Sequence, residues 1–346
     1  MKLIDTINAK GHVLCQDITQ IIPNKYKGAK FRKGHIVEEE DIPILLSMGK
    51  EHLYIWEKDD SKYHENEAAE FLYEICASEN MTKSEVKEGK IEGNATIDGL
   101  LKVDVELLEK INSLGEMMIA TRYNNLPIKK GEKLFGTRII PLVIEKEKIN
   151  KALQICNGKK ILKLLPYKQK KIGIVTTGSE VYKGLIEDEF GPVLKKKAEE
   201  YNQEVIKQIK VDDDPINTKN AIFNLIDEGA NVILCSGGMS VDPDDRTPLA
   251  IKNTGAKIVS YGAPVLPGAM FLLSYLTIKE KEKTIPILGL PGCVMYAKRT
   301  IFDLVFPRIL ADDIISEKEL SKLGRGGLCL NCNECHYPNC EFGKGW

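Results

Sequence analysis

Between Lys171 and Leu310 the chain alternates short β-branched runs with helical patterns, and glycine-rich turns follow most of the runs. Residues 171–175, 204–209, 232–234 and 285–288 read as strands. Residues 190–202, 216–228, a short run from Thr247, and 294–306 read as helices. Alternation of this kind predicts an α/β domain, a mostly parallel sheet with helices on both faces. Ligands of such sheets bind beyond the carboxyl ends of the strands. The strand-end turns are therefore where chemistry is expected.

Four turns stand out. The first is Thr176-Thr-Gly-Ser-Glu-Val181, followed by Asp188 ahead of a helix. Thr177, Gly178, Ser179 and Glu180 offer hydroxyls, backbone N–H groups and a carboxylate. The same residues also suit an ordinary strand-to-helix turn, with Asp188 as a helix-start acid. The second turn runs from Ser236, Gly237 and Gly238 through Ser240 to Asp242, Asp244, Asp245, Arg246 and Thr247. Three aspartates within four residues repel one another unless a cation sits among them. Arg246 can supply that charge internally, but a plain surface turn has no need of the paired glycines. Thr247-Pro248 reads as an N-cap with proline at the first helical position. The third turn, residues 261–270, contains Pro267 and Gly268, and the fourth contains Pro291 and Gly292. Glycine lets backbone approach a ligand, and N–H groups at a helix start suit an anion.

The rest of the chain divides into three further segments. Residues 1–60 are β-rich, with a short helix over 40–49 closed by Gly49 and a strand over 53–56. Residues 61–165 read as mixed α/β. There a helix over 65–78 has Ala68, Phe71, Leu72, Ile75 and Cys76 on one face, and residues 89–99 read as a hairpin or turn. The α/β domain spans 166–312, and 313–346 is a tail. On the helix over 190–202, Lys195, Lys196 and Lys197 read as a basic outer face.

Cysteine usage separates the tail from the rest. Cys15, Cys76, Cys156, Cys235 and Cys293 lie mostly in apolar runs and read as buried small hydrophobes. Cys329, Cys332, Cys335 and Cys340, beside His336, follow a Cys-x2-Cys-x2-Cys-x4-Cys spacing that suits Zn2+ or a [4Fe–4S] cluster. A net charge of −1 argues against nucleic-acid binding through bulk charge. No apolar run has the length of a membrane span, and the first residues lack a signal-peptide core. A cytoplasmic location is the resulting expectation.

Thr177-Gly-Ser-Glu180, Ser236-Gly-Gly-Met-Ser-Val-Asp242, Pro267-Gly268 and Gly289-Leu-Pro-Gly292 resemble the molybdopterin-binding domain of molybdenum-cofactor biosynthesis proteins. The preceding region, through Gly11-His-Val-Leu-Cys-Gln-Asp-Ile18 and Phe31-Arg-Lys-Gly34, resembles the molybdenum-insertion enzymes, the molybdopterin molybdenumtransferases. The resemblance implies molybdopterin or its adenylylated form as ligand, with Mg2+ and molybdate. It implies insertion of molybdate with release of AMP, with Asp188, Asp242 and Asp245 as catalytic acids. Thr177 to Glu180, Ser236 to Gly238, Ser240, Arg246, Thr247, Pro267, Gly268, Pro291 and Gly292 then hold the pterin. Self-association and a protein partner in cofactor delivery are implied too. Ser179 stands where the family usually has an acid. Asp244-Asp-Arg-Thr-Pro248 looks more like the adenylyltransferase relatives, and no counterpart of the insertion enzymes' C-terminal β-domain is expected. Adenylylation of molybdopterin, or binding without turnover as a carrier or sensor, therefore stand as alternatives.

Overall fold

A computed structural model describes residues 2–22, 25–55, 59–278 and 283–345. The chain forms two compact units. Residues 1–96, 103–122 and 130–164 make the first, and residues 97–102, 123–129 and 165–346 the second.

In the first unit the helix Glu65–Cys76 starts at a capping box, His64 receiving the Asn66 N–H and Glu67 reaching back to the His64 N–H. Ala68, Leu72, Ile75 and Cys76 are buried on the predicted face, with Phe71 half-buried. The helix Asp41–Ser47 ends near Gly49, whose φ of +74° suits glycine. Residues 89–99 are mostly not a turn. Lys90–Ala95 is a strand of the antiparallel sheet with Met81–Lys83, Met117–Thr121 and Lys133–Ile139. Gly93 is needed within it, because a Cβ there would meet the Phe135 ring at 2.1 Å. The expected strand over 53–56 is His52–Ile55, paired antiparallel with Lys2–Asp5. Trp56 lies outside the described residues.

The second unit carries a six-stranded sheet with strands β1 Lys171–Thr177, β2 Glu204–Val211, β3 Val232–Ser236, β4 Lys257–Tyr261, β5 Leu272–Ile278 and β6 Lys283–Leu290. Their spatial order is β2-β1-β3-β6-β5-β4. β2, β1, β3 and β6 run parallel, while β5 and β4 add an antiparallel edge. That edge was not apparent in the sequence, where the loop residues between β4 and β5 dominate the local pattern. The helices are α1 Ser179–Tyr182, α2 Phe190–Glu199, α3 Pro215–Asp227, α4 Thr247–Asn253, α5 Ile301–Leu310 and α6 Glu317–Lys322. α3 shows how local chemistry sets such an element. The Asp214 side chain caps the Ile216 N–H at 2.8 Å, Pro215 opens the first turn, and Gly229 at φ +101° closes it.

Two apolar layers sandwich the sheet. One contains Leu194, Phe302, Val305, Phe306 and Leu310, and the other Leu225, Ile226 and Ile251. Residues of 313–346 join the first layer through Ile315, Leu320, Leu323 and Phe342, all buried. Each such side chain contributes about 1.5–3 kcal/mol relative to exposure, so this segment is part of the α/β core.

Two sequence expectations fail here for tertiary reasons. Lys197 is not on an outer face. Its side chain is only 8% exposed, and its ammonium bonds both carboxylate oxygens of Asp303 at 2.8 and 3.0 Å. The last long helix does not begin at Val294. Residues Gly292–Met295 form a 3-10 turn, and α5 starts after Thr300, whose side chain and Asp303 complete a capping box.

Candidate functional site

The carboxyl ends of β1 and β3 open onto a cavity of about 380 Å3. Both strands end in hydroxyl residues. The Thr176 and Ser236 hydroxyls share a hydrogen bond at 3.2 Å, and the Thr177 and Thr247 hydroxyls share one at 3.0 Å. The turn after β3 packs on the turn after β1. Gly237 and Gly238 have φ of +87° and +56°, and a Cβ on Gly237 would stand 2.2 Å from the Thr177 carbonyl. Gly237 therefore serves a backbone-on-backbone contact, and Gly238 leaves room for the Thr247 and Thr177 hydroxyls, so together they bring the two loops close.

The cavity is lined by Thr177, Gly178, Glu180 and Asp188 from the first loop and by Gly237, Gly238, Asp242 and Asp245 from the second. Asp188 accepts the Phe190 and Gly191 N–H groups at 3.1 and 3.2 Å, so it caps α2 while facing the cavity. The aspartate loop is folded on itself. Asp242 Oδ1 accepts the Asp244 N–H at 3.1 Å, Asp245 Oδ2 accepts the Asp242 N–H at 3.3 Å, and Arg246 Nε donates to the Pro243 carbonyl. Arg246 thus binds backbone. The Tyr261 hydroxyl ties the loop to β4 by donating to the Met239 carbonyl at 2.9 Å. Burial, and then the Asp245 carboxylate, push that phenol up.

The other sequence-selected residues lie elsewhere. Ser179 starts α1, its N–H donating to Asp213 Oδ2 at 2.9 Å. Ser236 and Thr247 are buried beneath the cavity floor. Thr247 is not the N-cap of α4. Arg246 occupies that position, and the Thr247 hydroxyl turns to Thr177. The Ser240 carbonyl accepts from Tyr261. Pro291 precedes the 3-10 turn, Gly292 is exposed, and of that turn Met295 reaches the cavity. Gly268 packs on α5, because a Cβ there would meet Ile301 at 2.5 Å. Pro267 lines a second, larger cavity. The turns after β1 and β3 thus converge on one cavity, while Pro267 lines the other cavity and Gly268 packs against Ile301.

Sequence reasoning missed Asp213 and Gln208. Asp213 lines the cavity from the acidic run after β2. Gln208 on β2 donates through one amide nitrogen to both Asp188 and the Thr176 hydroxyl. Three consecutive acids at 212–214 after a strand were the available signal for the first; Gln208 had none.

Among the described residues, eight that line this cavity are Asp or Glu and none is Lys or Arg. Such a cavity repels a bare phosphate and accepts one accompanied by a cation. Among the described residues, no three Cys, His, Asp or Glu side chains are gathered closely enough to hold a metal ion unaided.

The second cavity, about 920 Å3, is lined by Pro267, by Tyr296 to Arg299, and by all four tail cysteines with His336. Of the five scattered cysteines, Cys15, Cys76, Cys156 and Cys235 are buried and Cys293 is half-buried. Burial pushes the Cys235 thiol up to about 12. No helix among the described residues is long and apolar enough to cross a membrane.

Residues 173–311 match the family model described as a probable molybdopterin binding domain, and residues 3–57 match a domain of unknown function. The α/β domain therefore belongs to the molybdopterin-binding family of molybdenum-cofactor biosynthesis. A molybdopterin adenylyltransferase of Pyrococcus furiosus is 29% identical over 137 residues, which is 37% of this chain and 80% of that protein. A CinA-like protein of Pseudothermotoga lettingae is 37% identical over 82 residues, 24% of this chain and 20% of that protein. Among solved structures, the tungsten cofactor synthesizing protein MoaB from Pyrococcus furiosus is 23% identical, covers 41% of this chain and 93% of its own, and has a TM-score of 0.35.

Proposed function

We propose that the 380 Å3 cavity binds the phosphate end of molybdopterin and that the chain transfers an adenylyl group to it. The observation that carries this reading is the junction of the turns after β1 and β3 at Thr177 and Thr247, with Asp242, Asp244 and Asp245 at its rim. The similarity to an adenylyltransferase across most of that protein's length favours this reaction over the others. In the transfer, a terminal phosphate oxygen of molybdopterin forms a bond to the α-phosphorus of ATP. The bond from that phosphorus to the bridging oxygen breaks, and pyrophosphate leaves.

Mg2+ fits the donor set. It is usually held by one or two carboxylates together with substrate phosphates, so a preassembled cage of three protein ligands is not required. Asp242 and Asp245 would hold it, and when bound it neutralises phosphate charge. The chain's own part is placement. Gly237 and Gly238 bring the two loops together, the Thr177 and Thr247 hydroxyls fix the floor, and Asp213 and Asp188 hold the starts of α1 and α2. Self-association belongs to the same reading and is read by light scattering.

Incubation with molybdopterin, ATP and Mg2+ tests the proposal by release of pyrophosphate and formation of adenylylated product. Molybdate-dependent release of AMP from adenylylated molybdopterin would instead assign insertion. Tight pterin binding without either turnover would assign a carrier or sensor. Absence of pterin binding would refute the site.

A further inference from the structure

The tail cysteines lie outside the site just described, and three observations bear on them. First, all four line one cavity although up to eleven positions separate them in sequence. Second, the outer two pack against the core and the inner two face solvent. Cys329 and Cys340 pack against the α/β core, and the Cys329 N–H donates to the Leu266 carbonyl at 2.8 Å. Cys332 and Cys335 are exposed, on a stretch without regular secondary structure. Third, the facing wall carries the Lys298 ammonium, beside an Arg299 that is already paired with Glu200 and Asp303. Lys298 donates to the Asn333 carbonyl at 2.6 Å, and Arg299 stacks its guanidinium over the Tyr337 ring at 5.3 Å. The Tyr337 hydroxyl in turn donates to the Asp303 carbonyl at 2.9 Å, which anchors the middle of the tail to α5.

We infer that this cavity is a thiolate-ligated metal site, closed when Cys332 and Cys335 swing onto a metal held by Cys329 and Cys340. The ligand class is a soft metal centre, either Zn2+ or an iron–sulfur cluster. Both take four cysteines, and two-residue spacings let neighbouring thiolates reach one centre. Four thiolates around either centre leave net negative charge, which the Lys298 wall complements. The ligands are not gathered in the structure described above. Closure therefore accompanies binding, as in small metal sites where ligand assembly and folding are coupled. Binding replaces thiol S–H bonds with metal–sulfur bonds and releases the thiol protons to solvent.

The intact 346-residue chain, purified without oxygen, is offered Zn2+ in one arm and, in the other, ferric iron with sulfide and dithiothreitol, the thiol supplying the electrons that bring part of the iron to the ferrous state. Bound metal is counted after desalting, and the visible spectrum is recorded. One tightly held zinc, or a cluster with sulfide-to-iron charge-transfer absorbance, is expected, and the productive arm identifies the centre. Cys332→Ser with Cys335→Ser should abolish it while circular dichroism stays unchanged. Cys293→Ser, half-buried and outside this cavity, should retain it. Metal-free protein in both arms, or undiminished loading of the double variant, would overturn the inference. Pterin binding is independent of either outcome.

Discussion

The hydroxyls of Thr177 and Thr247 meet at 3.0 Å across the end of the parallel sheet, although seventy positions separate them in sequence. One closes β1 and the other opens α4 after the aspartate loop. Their contact holds two glycine-bearing turns against each other and so sets the shape of the cavity above them.

Asp242→Asn keeps an acceptor for the Asp244 N–H and removes a negative charge. Pterin affinity should change little. The Mg2+ concentration giving half-maximal turnover should rise by roughly 10- to 100-fold. Titration of activity against Mg2+ checks this, and equal curves for variant and parent would remove Asp242 from the metal-handling role.

Gly237→Ala should destabilise the unit by at least about 1–2 kcal/mol, the usual left-handed penalty for a residue with a Cβ. The added atom would also strike the Thr177 carbonyl. Gly292→Ala is the control, since its Cβ would meet nothing within 4 Å. Thermal unfolding of the two variants should differ clearly.

Asp303→Asn strands the buried Lys197 ammonium and should cost about 3–5 kcal/mol, the usual result of removing one partner of a buried pair. Lys197→Met should cost less, because Arg299 still pairs with Asp303 at 2.8 Å. Urea unfolding measures both, and equal losses would contradict this ranking.

Glu319 gives the α/β unit an acid-sensitive contact. Burial opposes its charge, but the Ser316 N–H and hydroxyl and the Arg308 guanidinium outweigh it and hold the carboxyl at about 2. An unfolded glutamate titrates near about 4.3. The contribution is thus complete above that value and is lost as pH falls through about 4 toward 2. Glu319→Gln should lower stability near neutrality and lose less of it on acidification, as read from unfolding midpoints across that range.

Thiol labelling should follow exposure. Cys332 and Cys335 should react first with a maleimide, and Cys235, buried with its thiol pushed up to about 12, only on unfolding. Mass spectrometry of the labelled peptides reads the order.

The sequence by itself determined what is encoded over a few neighbouring residues. Alternating runs specified the parallel strands, Asp214-Pro215 and Gly229 bounded α3, and paired glycines beside aspartates marked the turn after β3. Only the tertiary structure decided matters that depend on what a distant segment brings. Lys197 is buried because Asp303 awaits it, Thr247 leaves its cap to meet Thr177, and Gly268 serves the packing of Ile301. It also gave the Pro267 turn and the tail cysteines a cavity apart from the aspartates. The physical reason is range. Backbone preferences and caps act within a turn of chain, whereas burial and charge pairing are properties of the assembled sheet.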